Sequence, residues 1–245
     1  KIKAAGFIPV AWGGQPWQEA TVFEIVVAGI GGTVFYKKAL VDADPAAINS
    51  PTMVKALETL EMIKKYTDPG APGRDWNLAT AMVIKGEAAM QFMGDWAKGE
   101  FTAAGKKPNV DYVAAAAPQT EGQFIFNIDS FIFFKVAAKN ETAQKAMARL
   151  ILQPKFQEVF NLNKGSIPVR LGMSEEPFDA PARKSMKDFV AADKSGNLIP
   201  SMAHEMAVMP AIRGAFMDTI ADFYNSEMSV GEAAGQMANA VQAAK

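Results

Sequence analysis

The sequence predicts an α/β fold, and two observations carry that prediction. Short apolar runs at residues 8–11, 88–93, 112–117 and 123–134 alternate along the chain with segments whose apolar residues recur at helical spacing. Breakers separate them: the loop Asp68-Pro69-Gly70-Ala71-Pro72-Gly73, Pro118, and the stretch 196–200.

Taken in order, Lys1-Ile2-Lys3-Ala4-Ala5-Gly6 has the character of a last helical turn with Gly6 as its stop, which leads us to expect residues before Lys1. Residues 8–11 read as a buried strand, Gly13-Gly14-Gln15-Pro16 as a loop, and residues 17–29 as a helix. Ser50-Pro51 is a helix start, with serine positioned to cap and proline in the first turn. That helix is expected to reach about residue 65, with Met53, Leu57, Leu60 and Ile63 on one face. A further helix over 77–85 stops at Gly86. Residues 88–93 then read as a strand, Gly94-Asp95 as a turn, and Trp96 as the opening of a helix to about 104. Residues 112–117 give a strand ended by Pro118. Residues 123–134 are too rich in β-branched and aromatic side chains to prefer helix. Helices follow over 142–152 and 154–163, the second stopped by Gly165. Residues 181–245 are largely helical, with breaks at 196–200 and at Ser226. There is no internal repeat.

Composition removes several classes of function. Lys plus Arg number 25 against 26 Asp plus Glu, so no basic excess favours nucleic acid or an anionic membrane surface. No run of some 18 apolar residues occurs, so the chain is not expected to be membrane-embedded. With no cysteine, disulfides, thiol nucleophiles and cysteine metal sites are excluded, and with His204 as the sole histidine so are histidine-rich metal clusters. No cofactor is expected: Gly29-Ile30-Gly31-Gly32 lacks dinucleotide spacing, and no P-loop or Gly-x-Ser-x-Gly elbow is present.

The polar candidates each carry two readings. On a continuous strand, Asn127 and Asp129 share one face while Phe126 and Ile128 share the other. A carboxylate in such an apolar run must be hydrogen-bonded, either capping a turn or accepting ligand hydroxyls at a strand end. Lys164, before Gly165, either complements a helix dipole or reaches a ligand. His204 is either a packed residue or a neutral donor and acceptor for a polar ligand. Trp96 follows a Gly-Asp turn, where an indole face can be presented to a cleft. An aromatic platform beside an Asp, an Asn, a Lys and a His suits a ligand with an apolar face and a polar rim.

Four segments together resemble the solute-binding proteins of ABC sugar importers, most closely the glucose or glucose/mannose binders. They are Gly13-Gly14-Gln15-Pro16-Trp17-Gln18; Lys85-Gly86-Glu87-Ala88-Ala89-Met90-Gln91-Phe92-Met93-Gly94-Asp95-Trp96; Phe126-Asn127-Ile128-Asp129-Ser130-Phe131; and Asn163-Lys164-Gly165-Ser166-Ile167-Pro168-Val169-Arg170. The resemblance implies a non-enzymatic, monomeric periplasmic carrier that closes two α/β lobes over a monosaccharide and delivers it to the importer's membrane subunits. It implies Trp96, Asp129, Lys164 and His204 as sugar contacts, with Asn127 placed by strand register alone. Family members are longer, so the chain is expected to hold the second lobe plus a helical segment of a first lobe that is largely missing. On that reading residues 1–125 and 170–245 form the second lobe, and residues 126–169 are a crossing strand and helical return belonging to the first. The alternative from the residues is a glycoside hydrolase acting on small sugars. That reading needs two carboxylates roughly 5–10 Å apart across the scissile bond, a pair the sequence does not reveal.

Overall fold

The computed structural model describes residues 1–245. Its strands are short and pair two by two, both pairs parallel. β1 (Ile8–Val10) lies against β2 (Ala88–Met90), and β3 (Phe124–Phe126) against β4 (Leu198–Pro200). Around them run α1 (Pro16–Tyr36), α2 (Pro45–Ile48), α3 (Pro51–Lys64), α4 (Trp76–Ile84), α5 (Ala97–Ala103), α6 (Ala138–Ile151), α7 (Pro154–Lys164), α8 (Ala180–Ser195), α9 (Pro210–Asn225) and α10 (Val230–Ala243). The α/β character is as the alternation predicts.

The chain divides into two units. The first comprises Lys1–Gly94, Ala115–Asn127 and Asp188–Lys245; the second comprises Asp95–Ala114 and Ile128–Lys187.

In the first unit α1 packs on α3 and α9, and α9 on α10. The local signals act where expected. Met53 N donates to Ser50 Oγ (3.3 Å), Pro51 occupies the first helical position, and Met53, Leu57 and Leu60 are fully buried. Ile63 packs against the same core. α10 opens on a reciprocal capping box between Ser229 and Glu232 and buries Ala233, Met237 and Val241. α1 outruns the expected end at 29. With the helical turn after it, Pro16–Val41 is long and apolar enough to cross a membrane by length and composition. Here its Phe23, Val27 and Ala28 are core residues with no exposure, and Gly32 (φ 71°) breaks the regular helix.

Two strand expectations fail. Residues 113–117 form no strand; Tyr112 makes one isolated bridge to Pro108, and its ring stacks on Phe101 at 4.0 Å. Of residues 123–134 only Phe124–Phe126 is strand. Its ladder ends with β4, where Phe126 pairs Pro200 and its carbonyl accepts from Ser201 N (2.9 Å). Asn127 and Asp129 therefore share no strand face, and the register argument for Asn127 does not hold. The strand expected over 88–93 is likewise confined to Ala88–Met90.

In the second unit, α5 packs on α7 and α6 on α7. Buried amides knit the end of α7 to the loop after it. Gln157 Nε2 donates to Ile151 O (2.8 Å), Asn161 Nδ2 to Gln157 O (2.7 Å), Ser166 Oγ to Asn161 Oδ1 (2.8 Å), and Val169 N to Gln157 Oε1 (3.0 Å). Lys98, nearly buried, is held by both oxygens of Asp179 at 2.8 and 2.9 Å.

Candidate functional site

Three of the expected residues lie in the second unit, and a close backbone contact gathers them. Gly165 ends α7 in the left-handed region (φ 90°), and a Cβ built there would stand 2.6 Å from Gly99 N and 3.1 Å from Asp95 O. Only a glycine lets the end of α7 settle against the start of α5 this closely. That contact brings Lys164 close enough to act on the Asp95 carboxyl. Lys164 Nζ also pairs with Asp129 Oδ2 and sits 6.0 Å above the Phe160 ring. Asp129 is exposed and Lys164 only partly so, leaving the pair reachable from solvent.

Asp95 completes this group, and sequence reasoning passed over it as a turn residue. Burial lifts its carboxyl to about 6; Lys98, Lys164 and the Trp96 backbone act to lower it, and Asp129 acts to raise it further. A carboxyl raised to about 6, a carboxylate and an ammonium thus gather at the start of α5, next in sequence to the half-buried Trp96. Such a group can accept from and donate to several hydroxyls at once.

The other two expected residues, Asn127 and His204, lie in the first unit. Asn127 follows β3 and His204 follows β4, so both stand just beyond the carboxyl ends of parallel strands, where α/β folds place their ligands. Trp17, at the start of α1, makes an edge contact with the His204 ring (5.9 Å between centroids, 74°). Gln15 fixes that indole. Its Oε1 accepts from Trp17 Nε1 (2.9 Å) and Gln18 Nε2 (2.8 Å), and its Nε2 donates to Asp75 Oδ1 (2.5 Å).

Beneath His204 lies a buried carboxylate. Glu24 Oε2 accepts from Tyr36 OH (2.8 Å), Met202 N (2.7 Å) and Ala203 N (3.2 Å); Oε1 accepts from Ser201 Oγ (2.6 Å). Ser201 Oγ is in turn 2.9 Å from His204 Nδ1 and accepts from His204 N (3.1 Å). Serine, histidine and acid meet here in the wrong order for nucleophilic catalysis. In a triad the imidazole stands between acid and serine; here the serine stands between acid and imidazole and is only 1% exposed. Glu24 escaped sequence reasoning, although a lone carboxylate inside the apolar run Thr21-Val22-Phe23-Glu24-Ile25-Val26 was a readable sign of a buried polar cluster.

Residues 1–151 match the family model for the bacterial extracellular solute-binding protein. A probable sugar-binding periplasmic protein of Brucella suis is 46% identical over 244 residues, covering all of this chain and 58% of that protein. An ABC transporter extracellular-binding protein of Pyrococcus horikoshii is 36% identical over 243 residues, covering 99% of this chain and 53% of that protein. Among solved structures, a chitin oligosaccharide binding protein superposes with a TM-score of 0.75 at 16% identity, covering 99% of this chain and 61% of the other. The chain thus spans somewhat over half the length of the relatives it matches, and its fold is the periplasmic-binding-protein-like one.

Proposed function

The chain belongs to the bacterial extracellular solute-binding protein family, and on that premise we propose that it supplies most of the sugar-recognising surface of a periplasmic ABC-importer component for a monosaccharide, D-glucose. The observation that carries this reading is the second-unit group of Asp95, Asp129 and Lys164: a carboxylate–ammonium pair acting on the carboxyl that precedes Trp96. A pyranose has an apolar face for the indole and hydroxyls for the charged pair. Trp96, Asp129, Lys164, His204 and Asn127 are assigned as the ligand contacts, Asn127 now on its position after β3 alone. Residues 126–169 are assigned to a first lobe whose remainder lies in the part of the relatives this chain does not span. The protein partner is the importer's membrane subunits, and the sugar leaves chemically unchanged.

Calorimetric titration with D-glucose, D-galactose and maltose tests the assignment, using the protein as its gene encodes it. Saturable binding with D-glucose the tightest supports it. Preference for maltose would replace the monosaccharide with an oligosaccharide, and no heat with any of the three would remove sugar as the ligand. Asp129→Ala should weaken glucose binding about tenfold to a hundredfold, because both the hydroxyls and Lys164 lose their charged partner. Unchanged affinity in that variant would strike Asp129 from the contacts.

A further inference from the structure

We infer that Lys98, pinned by Asp179, is a positioning residue of the candidate site: it fixes the first turn of α5 and keeps the Asp95 carboxyl available as an acceptor for ligand hydroxyls. For the ligand this rests on the function proposed above; the clamp itself rests on contacts within the second unit.

A lysine ammonium is almost never buried unless it is paired, because water solvates it so strongly. Lys98 is only 7% exposed, and both oxygens of Asp179 hold its Nζ, at 2.8 and 2.9 Å. Asp179 is itself fixed. It stands just before α8, where its Oδ1 accepts from Ala182 N (2.7 Å) and its carbonyl from Arg183 N (2.9 Å), and the preceding Phe178 is buried. The ion pair therefore ties α5 to the capped start of α8. The same turn of α5 is also pressed against the end of α7. A Cβ at Gly165 would lie 3.0 Å from Lys98 Cβ, and one at Gly99 would lie 2.8 Å from Lys164 O. Held by a close backbone contact to α7 and by an ion pair to α8, the turn has little freedom to shift.

Asp95 and Trp96 lead directly into that turn. Lys98 N donates to Asp95 O (3.0 Å) and Gly99 N to Trp96 O (3.0 Å), so a movement of Lys98 carries both residues with it. Lys98 also acts through its charge. Burial raises the Asp95 carboxyl to about 6, and Lys98 is the strongest influence opposing that rise, ahead of Lys164 and the Trp96 backbone; Asp129 adds to the rise. Without the Lys98 ammonium more of Asp95 is protonated at a given pH, and it loses acceptor capacity. Lys98→Met keeps an unbranched apolar stem and removes the charge. Asp179→Asn keeps an oxygen to cap α8 and removes the charge that holds Lys98.

Carbon-13 NMR of the aspartate-labelled protein as its gene encodes it reads the Asp95 titration, with the signal assigned by its loss in Asp95→Asn, and calorimetry at pH 7 reads glucose affinity. In Lys98→Met the Asp95 midpoint should move up by about one pH unit. Glucose binding should weaken about tenfold in Lys98→Met and about threefold or more in Asp179→Asn. The double variant should bind no more weakly than Lys98→Met, because the two residues act as one unit. In a folded Lys98→Met, an Asp95 midpoint that stays in place overturns the action of Lys98 on that carboxyl, and unchanged affinity overturns its positioning role. If Lys98→Met does not fold, Asp179→Asn decides, since its helix cap is kept: unchanged glucose affinity there overturns the clamp. A wild-type protein that binds no sugar overturns the function proposed above instead, and the Asp95 midpoint then upholds or overturns the hold of Lys98 on the carboxyl by itself.

Discussion

Two carboxylates in α1 show how one residue type takes different roles from its surroundings. Glu24 is met by four donors, whereas Glu19, equally buried, has only Asn225 Nδ2 (3.1 Å) and the more distant charge of Lys64. Burial dominates at Glu19 and lifts its carboxyl from 4.5 to about 7. Between those values the folded chain holds a proton that the unfolded chain releases, so this residue makes stability fall as pH rises through the window. The full span corresponds to about 3–4 kcal/mol. Glu19→Gln keeps an oxygen for Asn225 and removes the charge. It should flatten urea-derived stability between pH 5 and 8 and raise it at pH 8 by about 1–3 kcal/mol. Parallel pH profiles for the two proteins would contradict the burial argument. Both glutamates sit in a helix whose apolar residues alone were read from the sequence. The burial of their side chains follows from α3, α9 and the turn after β4 closing over α1; the apolar run around Glu24 hints at it locally, but which donors meet each carboxylate is set by those distant elements.

Helices were readable because each carries its own hydrogen bonds and its own stop signals. Ser50-Pro51, Gly86 and Gly165 mark ends that the structure keeps within a residue or two. Strands were not, because a strand exists only where a neighbour completes its ladder. Residues 113–117 have suitable composition and no neighbour, while β3 lasts only as long as β4 does. The candidate site divides in the same way. Lys164 and Trp96 were placed by elements that formed as expected, whereas Asn127 was placed by a strand register that does not exist. Gly165 gives this scale its test. Gly86 and Gly165 both end helices with positive φ, but a Cβ at Gly86 meets nothing within 4 Å, and one at Gly165 meets the backbone of α5 at 2.6 Å. Gly86→Ala should cost about 1 kcal/mol of backbone strain, and Gly165→Ala about 2 kcal/mol or more. Only Gly165→Ala should also weaken the proposed sugar binding, since it parts Lys164 from Asp95. Equal effects of the two variants on affinity would show that the close approach does not set the site.

Across the whole molecule, apolar surface is distributed unevenly. Most of the buried core lies in the first unit, while in the second Ile128 and the consecutive residues Phe131, Ile132, Phe133 and Phe134 are all exposed, as are Leu150 of α6 and Val159 of α7. An apolar run exposed on successive residues is what a strand covered on both faces looks like without its cover. Ile132 is 76% and Phe134 75% exposed, so within this chain neither contributes appreciably to a core. If residues 126–169 belong to a first lobe, as proposed, both are interior in the protein its gene encodes. Ile132→Asp and Phe134→Asp should then each lower its stability by about 2–3 kcal/mol or more, since a buried side chain of this size is worth that much and an unpaired carboxylate adds to the loss. Denaturant unfolding monitors this directly. A loss of that size would place the run inside a lobe, and unchanged stability would mean that the segment is true surface, with the crossing assigned elsewhere in the chain.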